Sequence, residues 1–211
     1  MRFSARVTIC LAVSALHGAL SGTVLAAQGD DPDWPCIQRK VPELSLGQIW
    51  TGPELPPATG QGKSDAAIGD LVAEAAARRV PLGEAERMIR DFAGKLSPEE
   101  RQAQLTTLMR GLFDHMNRER SQVIGGIARY AHKQRDLAAE LRREASSVDA
   151  LRAKADADPD EIAARNDRLV FQTRIFQERV QSLTFVCEVP TLIEQRLYAL
   201  ARTISQTMED R

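Results

Sequence analysis

The sequence predicts an all-α protein: a long antiparallel helical hairpin of coiled-coil-like character, preceded by two short helices and a proline-rich extended strap. Three observations lead to this fold class. From residue 64 onwards, apolar residues recur at spacings of three and four, the period of an amphipathic helix. Six of the ten prolines lie within residues 28–63, where they exclude a long helix. Aromatic residues make up only 5% of the chain, so the core must consist mainly of Leu, Ile, Val and Ala.

Residues 1–27 have the composition of a secretory signal peptide. Arg2 and Arg6 precede an apolar stretch that closes on two alanines, small residues at a spacing compatible with cleavage. An uncleaved membrane anchor is the alternative, but His17 and two glycines interrupt the stretch. We therefore expect a periplasmic or secreted protein. The excess of Arg over Lys, 23 to 5, favours a bacterial source.

The charge balance excludes some classes of partner. Without the leader, the chain has 26 basic and 29 acidic residues, a formal charge of −3. It therefore lacks the basic surface that binds nucleic acid or an anionic membrane. No later segment has about 18 uninterrupted apolar residues. The sequence thus predicts no nucleic-acid partner and no membrane span in the mature chain.

The strap, residues 28–63, holds both tryptophans and one of the two cysteines that remain after the leader. Cys36 and Cys187 are the two cysteines of the mature chain. Cysteines usually pair in an oxidising compartment, so we predict one disulfide between them. A redox-active pair is the alternative, but no C-x-x-C motif is present. We expect Trp34 and Trp50 to anchor the strap in grooves between helices. The end of the strap, 54–63, is interpreted as a flexible linker.

A helical domain, 64–211, follows the strap. The short helices are predicted over about 65–79 and 83–95, and the long helices over about 98–155 and 159–208. Ser97-Pro98-Glu99-Glu100 combines a capping box with Pro at the first helical position, and Asp158-Pro159 marks the start of the last helix. Because a short turn joins the two long helices, they must be antiparallel neighbours.

Three residues predict irregularities in the long helices. Gly125 and Gly126 together cost a helix roughly 2 kcal/mol relative to alanine. They mark either a kink or a close approach by the strap. Pro190 predicts a kink three residues beyond Cys187. Antiparallel pairing places Cys187 opposite about 123–127, so the strap, the glycines and the kink should meet at one level of the hairpin.

No motif of a catalytic or cofactor site stands out. The run 156–160 has three aspartates at calcium-loop spacing, but Glu161 occupies the position that requires Gly, so we interpret the run as a capped turn. His115 and His132 lie about 260° apart around one helix and cannot share a site. The polar run 114–120 is interpreted as a solvated helix face. We expect no metal, no cofactor and no catalytic residue.

These observations favour an exported, non-catalytic helical protein that acts as an interaction or scaffolding module for a protein partner. The last helix has apolar residues outside the stripe that packs on the other long helix. A second copy of the chain could bury them, so we expect a possible homodimer. The alternative is a helical bundle that binds a small molecule between its helices, near the Cys36–Cys187 tether. The sequence identifies neither a partner nor a ligand.

Overall fold

The structure is a computed structural model, and it describes residues 31, 33–57 and 66–209. The predicted signal peptide, strap residues 28–30, 32 and 58–63 (with most of the predicted linker), and residues 64–65 and 210–211 of the helical domain lie outside the described residues. Within them, all regular secondary structure is α-helical, which confirms the predicted class. The helices are α1 (Leu46–Ile49), α2 (Ala66–Ala76), α3 (Leu82–Ala93), α4 (Pro98–Arg152) and α5 (Pro159–Glu209).

Local signals in the sequence mark the starts of the long helices. The Ser97 hydroxyl accepts a hydrogen bond from the Glu100 backbone N–H, so Ser97 caps α4 as predicted. The Glu100 carboxylate accepts from the Ser97 hydroxyl and not from its backbone N–H, so only this half of the predicted capping box forms. The Asp158 carboxylate accepts from the backbone N–H of Asp160, so the aspartate run is a capped turn. The predicted ends are less accurate: α2 ends at Ala76 rather than 79, because the chain already turns before Pro81.

The strap differs from its prediction in one respect. It contains a single helical turn, α1, where we expected extended chain throughout. The turn fits between two prolines, and Ser45 and Gln48 cap it reciprocally. Proline therefore limits the length of a helix in the strap without excluding one turn.

The two long helices pack as an antiparallel hairpin, as predicted. α2 packs along α4 and α3 along α5, which gives a four-helix body formed by α2, α3, 98–120 and 190–209. The body holds the main core. Its fully buried large side chains are Ile89, Leu105, Leu108, Met109, Leu112, Met116, Ile193, Leu197, Leu200 and Ile204.

The rest of the hairpin, 121–152 and 159–189, forms an arm of only two helices. Leu141 and Val148 are the buried residues of α4 beyond the level of residue 135, and α5 has no buried residue between 159 and 182. Much of the apolar surface of the arm therefore remains in water. No helix among the described residues is long and apolar enough to cross a bilayer.

Glycines act differently at different points along α4. A Cβ built at Gly111 would lie 2.9 Å from the Val72 side chain, so this glycine permits the close approach of α2 to α4. At Gly125 and Gly126, the described atoms that a Cβ would meet within 4 Å belong to the Arg129 guanidinium. No described atom of the strap lies within 4 Å of a Cβ built at either glycine, so the described part of the strap makes no close approach there.

The predicted kinks remain predictions. α4 runs as one continuous helix through Gly125 and Gly126, and α5 runs through Pro190, which is buried. Helical backbone at all three residues is compatible with either a straight axis or a bent one.

Candidate functional site

A disulfide joins the strap to the middle of α5. Cys36 and Cys187 are bonded, with their Cα atoms 5.5 Å apart, which confirms the predicted pair. The bridge covers a small apolar cluster, separate from the main core, in which Cys187 is buried. The members of this cluster are Ile127, Ala131, Leu183 and Cys187, with Val123, Trp34 and Cys36 packed against it. Cys187 therefore faces the level of α4 expected from antiparallel pairing.

Around the bridge, residues 33–40 form what we term the tethered segment. Trp34 is half-buried against the apolar cluster, and its indole N–H donates to the Gln38 carbonyl at 2.6 Å. The Lys40 ammonium lies 5.9 Å from the centroid of the Trp34 ring and pairs with Asp31. The hydrogen bond from Lys40 lowers the pKa of the Asp31 carboxyl. The segment is thus organised largely by its own contacts and the bridge.

Two side chains of α4 also hold the tethered segment. The Asp33 carboxylate accepts a hydrogen bond from the Arg135 guanidinium, and its Oδ1 atom lies 3.2 Å from Nδ1 of His132. On the other side of the ring, Nε2 of His132 lies 3.5 Å from Asp136. No group of three potential metal ligands occurs among the described residues. These contacts attach the strap to the arm.

Residues 41–57, which we term the anchored segment, belong to the main core. Trp50 is buried there with Leu44, Ile49 and Leu55, and its indole N–H donates to the Pro53 carbonyl at 2.7 Å. The ring folds back over Gly52, where an added Cβ would lie 2.3 Å from the ring. Sequence reasoning missed this glycine, although its position between Trp50 and Pro53 was a signal for a tight turn.

A polar row on α4 binds the backbone of the anchored segment. The Asn117 side chain accepts from the Leu44 N–H at 2.9 Å, and the Ser121 hydroxyl donates to the Pro42 carbonyl at 2.7 Å. Between them, Arg120 donates to the Val41 carbonyl at 2.6 Å. The interpretation of 114–120 as a solvated face is therefore wrong for this row, because the strap covers it.

Arg120 joins three parts of the molecule. Its side chain is almost fully buried, and its guanidinium lies 3.5 Å from the Glu194 carboxylate of α5 while it donates to the strap. Burial lowers the pKa of Arg120, and the nearby Glu194 charge opposes that shift. A buried charge is tolerated when it is paired and hydrogen-bonded. Arg120 thus fixes strap, α4 and α5 at one level.

α5 exposes large apolar side chains on more than one side of the helix. They are Val170, Phe171, Val180, Phe185, Val186, Leu192 and Tyr198. Four neighbours form what we term the outer patch, namely Phe185, Val186, Val189 and Leu192. Phe185 is 74% exposed, Leu192 is 50% exposed and Val186 is 42% exposed, whereas Val189 is half-buried. Spacings of four and three from 185 through 189 to 192 place these three residues on one stripe of the helix.

The outer patch overlaps the end of the body: Leu192 lies within it, and Val189 packs against the main core. The Arg196 guanidinium, four residues beyond Leu192, donates to the Ala75 carbonyl near the end of α2, at 2.7 and 2.9 Å. Burial in this contact lowers the pKa of Arg196. α3 therefore covers α5 in the body, the end of α2 reaches Arg196, and the apolar stripe continues below this level into solvent.

Two open grooves lie on the arm. One, of about 260 Å³, lies beside the disulfide and is lined by Pro35, Cys36, Ile37, Gln38, Val180, Leu183, Thr184, Cys187 and Glu188. The other, of about 310 Å³, lies between α4 and α5 around Leu141 and Leu169. Ligand pockets usually have volumes of about 300–1,000 Å³ and enclose most of the ligand. Both grooves are at or below the lower end of that range.

Comparison with known proteins adds no family. No protein-family model matches the chain, and no curated protein or solved structure is significantly similar to it. Only the surface and the contacts of the described residues therefore indicate a function.

Proposed function

We propose that this protein acts outside the cytoplasm as a non-catalytic helical module that binds or scaffolds a protein partner through the outer patch. The observation that carries the proposal is the row of exposed apolar side chains on a folded, continuous helix. An exposed apolar patch next to a polar rim is typical of a protein-binding surface. Phenylalanine and leucine on a helix stripe supply the large contact area that such surfaces need.

Export is part of this proposal. The Cys36–Cys187 disulfide and the lack of a membrane-spanning helix among the described residues are compatible with a chain that leaves the cytoplasm. Cleavage of the predicted leader would release the mature chain into the periplasm or the medium.

The contacts around the patch support a role in binding. Arg120 and the disulfide both attach the strap to the hairpin, the disulfide at Cys187 within the span of the patch and Arg120 beside Glu194, two residues beyond the patch. A surface held in one conformation loses less entropy when a partner binds. The patch is therefore prepared for binding before a partner arrives.

The groove beside the disulfide supports the second candidate, a site for a small molecule. Its lining is mainly apolar, with Gln38, Thr184 and Glu188 as polar groups, so it would fit a small amphiphilic molecule. We rank this function second because the groove is open and small. A substitution that fills the groove, Thr184→Trp, should abolish ligand binding there and leave protein binding at Phe185 unchanged.

Photo-crosslinking in the producing cell tests the proposal. A photoreactive residue is introduced at Phe185 and, as a matched control, at Tyr198, which is an exposed aromatic residue on another side of α5. We expect discrete covalent adducts at 185 and none at 198. If neither position gives an adduct, or both give the same diffuse ones, the outer patch is not a binding surface.

A further inference from the structure

We infer that the hairpin has a hinge at the level of Gly125, Gly126 and Pro190, where the arm meets the body, and that the strap is a brace that holds this hinge in one position. The Cys36–Cys187 disulfide locks the brace. This inference goes beyond the proposed function, because it concerns the orientation of the arm and needs no partner.

Each long helix has a weak point, and the two weak points lie at the same level of the hairpin. Arg120 lies beside Glu194, and Cys187 packs in one cluster with Ile127. Seven residues separate these two contacts along each helix, so the helices keep one antiparallel register between them. Pro190, four residues before Glu194, therefore lies opposite the residue that directly precedes the two glycines.

The weak points favour bending of both helices. Packing does not require the two glycines, because the described atoms within 4 Å of a Cβ built at either of them belong to the flexible Arg129 guanidinium. Glycine gives a helical backbone more freedom than any other residue. Pro190 has no N–H, so α5 lacks the hydrogen bond to the Val186 carbonyl. Sharp bends in helices occur chiefly at proline and at pairs of small residues of this kind.

One end of the strap is attached to the hairpin on the body side of this level. The Asn117 side chain accepts from the Leu44 N–H, and Arg120 donates to the Val41 carbonyl. Trp50, further along the strap, is buried in the main core. The residues of α4 that hold this part of the strap precede the two glycines, so the anchored segment moves with the body.

The other end of the strap is attached on the arm side. Cys36 is bonded to Cys187, three residues before Pro190 in α5. The Asp33 carboxylate accepts from the Arg135 guanidinium, nine residues beyond the glycines in α4. The strap therefore crosses the level of the hinge. A bend there, toward the strap or away from it, would change the separation of the two sets of attachments, so the strap resists it.

The disulfide is the attachment on which the brace depends. On the arm side, the other contacts of the tethered segment are weak, because Trp34 is only half-buried and the Asp33–Arg135 pair is exposed. The bond from the Trp34 indole to the Gln38 carbonyl lies within the segment and does not attach it to the hairpin. Without the bridge, we expect the tethered segment to leave the arm and the hinge to bend.

The hinge also concerns the outer patch. Phe185 and Val186 lie on the arm side of Pro190, and Leu192 lies on the body side. A locked hinge therefore keeps the patch in one shape. This consequence alone rests on the proposed function. A measurement of the orientation of the arm involves no partner, so the inference can fail while the proposed binding surface stands, and the reverse.

Distances between spin labels on the intact mature chain test the inference. The labels are carried by non-natural amino acids, so that the two native cysteines stay paired. The test pair joins Arg87 of α3, in the body, to Asp149 of the arm, and both residues are exposed. The control pair joins exposed Lys133 to Asp149, on the arm side of the glycines in α4, about 24 Å apart along the helix. In the wild type, we expect a narrow distance distribution for each pair.

Two sets of substitutions test the lock and the position of the hinge. In Cys36→Ser, Cys187→Ser, the distribution of the test pair should broaden about twofold or more, whereas that of the control pair should not change. Adding Gly125→Ala, Gly126→Ala to this variant should narrow the test distribution again, because alanine stiffens a helix. The matched control adds alanine at two glycines of α2 and α3 instead, where a Cβ has open space among the described residues, and should leave the distribution broad: Gly69→Ala, Gly83→Ala.

Four results would overturn the inference. A test distribution that stays narrow without the bridge would show that the disulfide locks no hinge. An equally broad one in the wild type would show that the strap is no brace. Broadening of the control pair would mean that the arm unfolds rather than pivots. The same broad distribution with either pair of alanines would place the motion away from the level of Gly125 and Gly126.

Discussion

Opening the disulfide should destabilise the protein by up to about 5 kcal/mol. The bridge joins residues that are 151 positions apart, and closing a loop of this length removes chain entropy worth roughly 5 kcal/mol from the unfolded state. The other contacts of the tethered segment cannot replace it. The Asp33–Arg135 pair is exposed, and exposed pairs contribute about 0–1 kcal/mol. Trp34 is only half-buried.

The expected consequence is a lower melting temperature and a released tethered segment. For a chain of this size, 5 kcal/mol corresponds to about 10–20 °C. The assay compares thermal unfolding of the oxidised protein with that of the double variant Cys36→Ser, Cys187→Ser. Emission of Trp34 should shift to the red, while Trp50 stays buried in the body.

Addition of a reductant is the control. It should lower the melting temperature of the wild type to that of the double variant and leave the double variant unchanged. A difference of less than about 3 °C between oxidised and reduced protein would refute the reasoning, because the bridge would then constrain little. An unchanged Trp34 emission would show that packing alone holds the tethered segment.

Three further predictions follow from the packing. Trp50→Ala should lower the free energy of unfolding by about 3–5 kcal/mol in a denaturant titration, because the ring is buried in the main core; a loss below about 1 kcal/mol would contradict that burial. Gly126→Ala should raise stability by up to about 1 kcal/mol, since the added methyl meets only a flexible guanidinium, whereas Gly111→Ala should lower it, since its methyl would overlap a side chain of α2. Equal effects of the two alanines would contradict this. The hydrogen bond from Arg165 lowers the pKa of Glu144 below its ordinary value near 4.5. The pair should therefore stabilise the arm fully above that pH and progressively less as the pH falls through the lowered pKa. Acid titration of amide exchange in the arm should show this loss in the wild type and not in Glu144→Gln.

The amino-acid sequence determined the elements with local causes. Ser97 and Asp158 start the long helices because their side chains bond to backbone groups two or three residues away, whatever the rest of the chain does. The pairing of Cys36 with Cys187 followed from the presence of two cysteines in a mature chain that is predicted to enter an oxidising compartment. The hairpin followed from two long periodic segments joined by a short turn.

Tertiary structure decided which distant segments meet each other. Arg120 has the pattern of a solvated residue, and its burial exists only because the strap lies over α4. Gly111 resembles any helical glycine until α2 packs on it. Helical periodicity assigns residues to faces, but it does not say what covers a face. The outer patch is exposed because the end of α2 reaches α5 only at Arg196, and the periodicity of α5 does not contain that information.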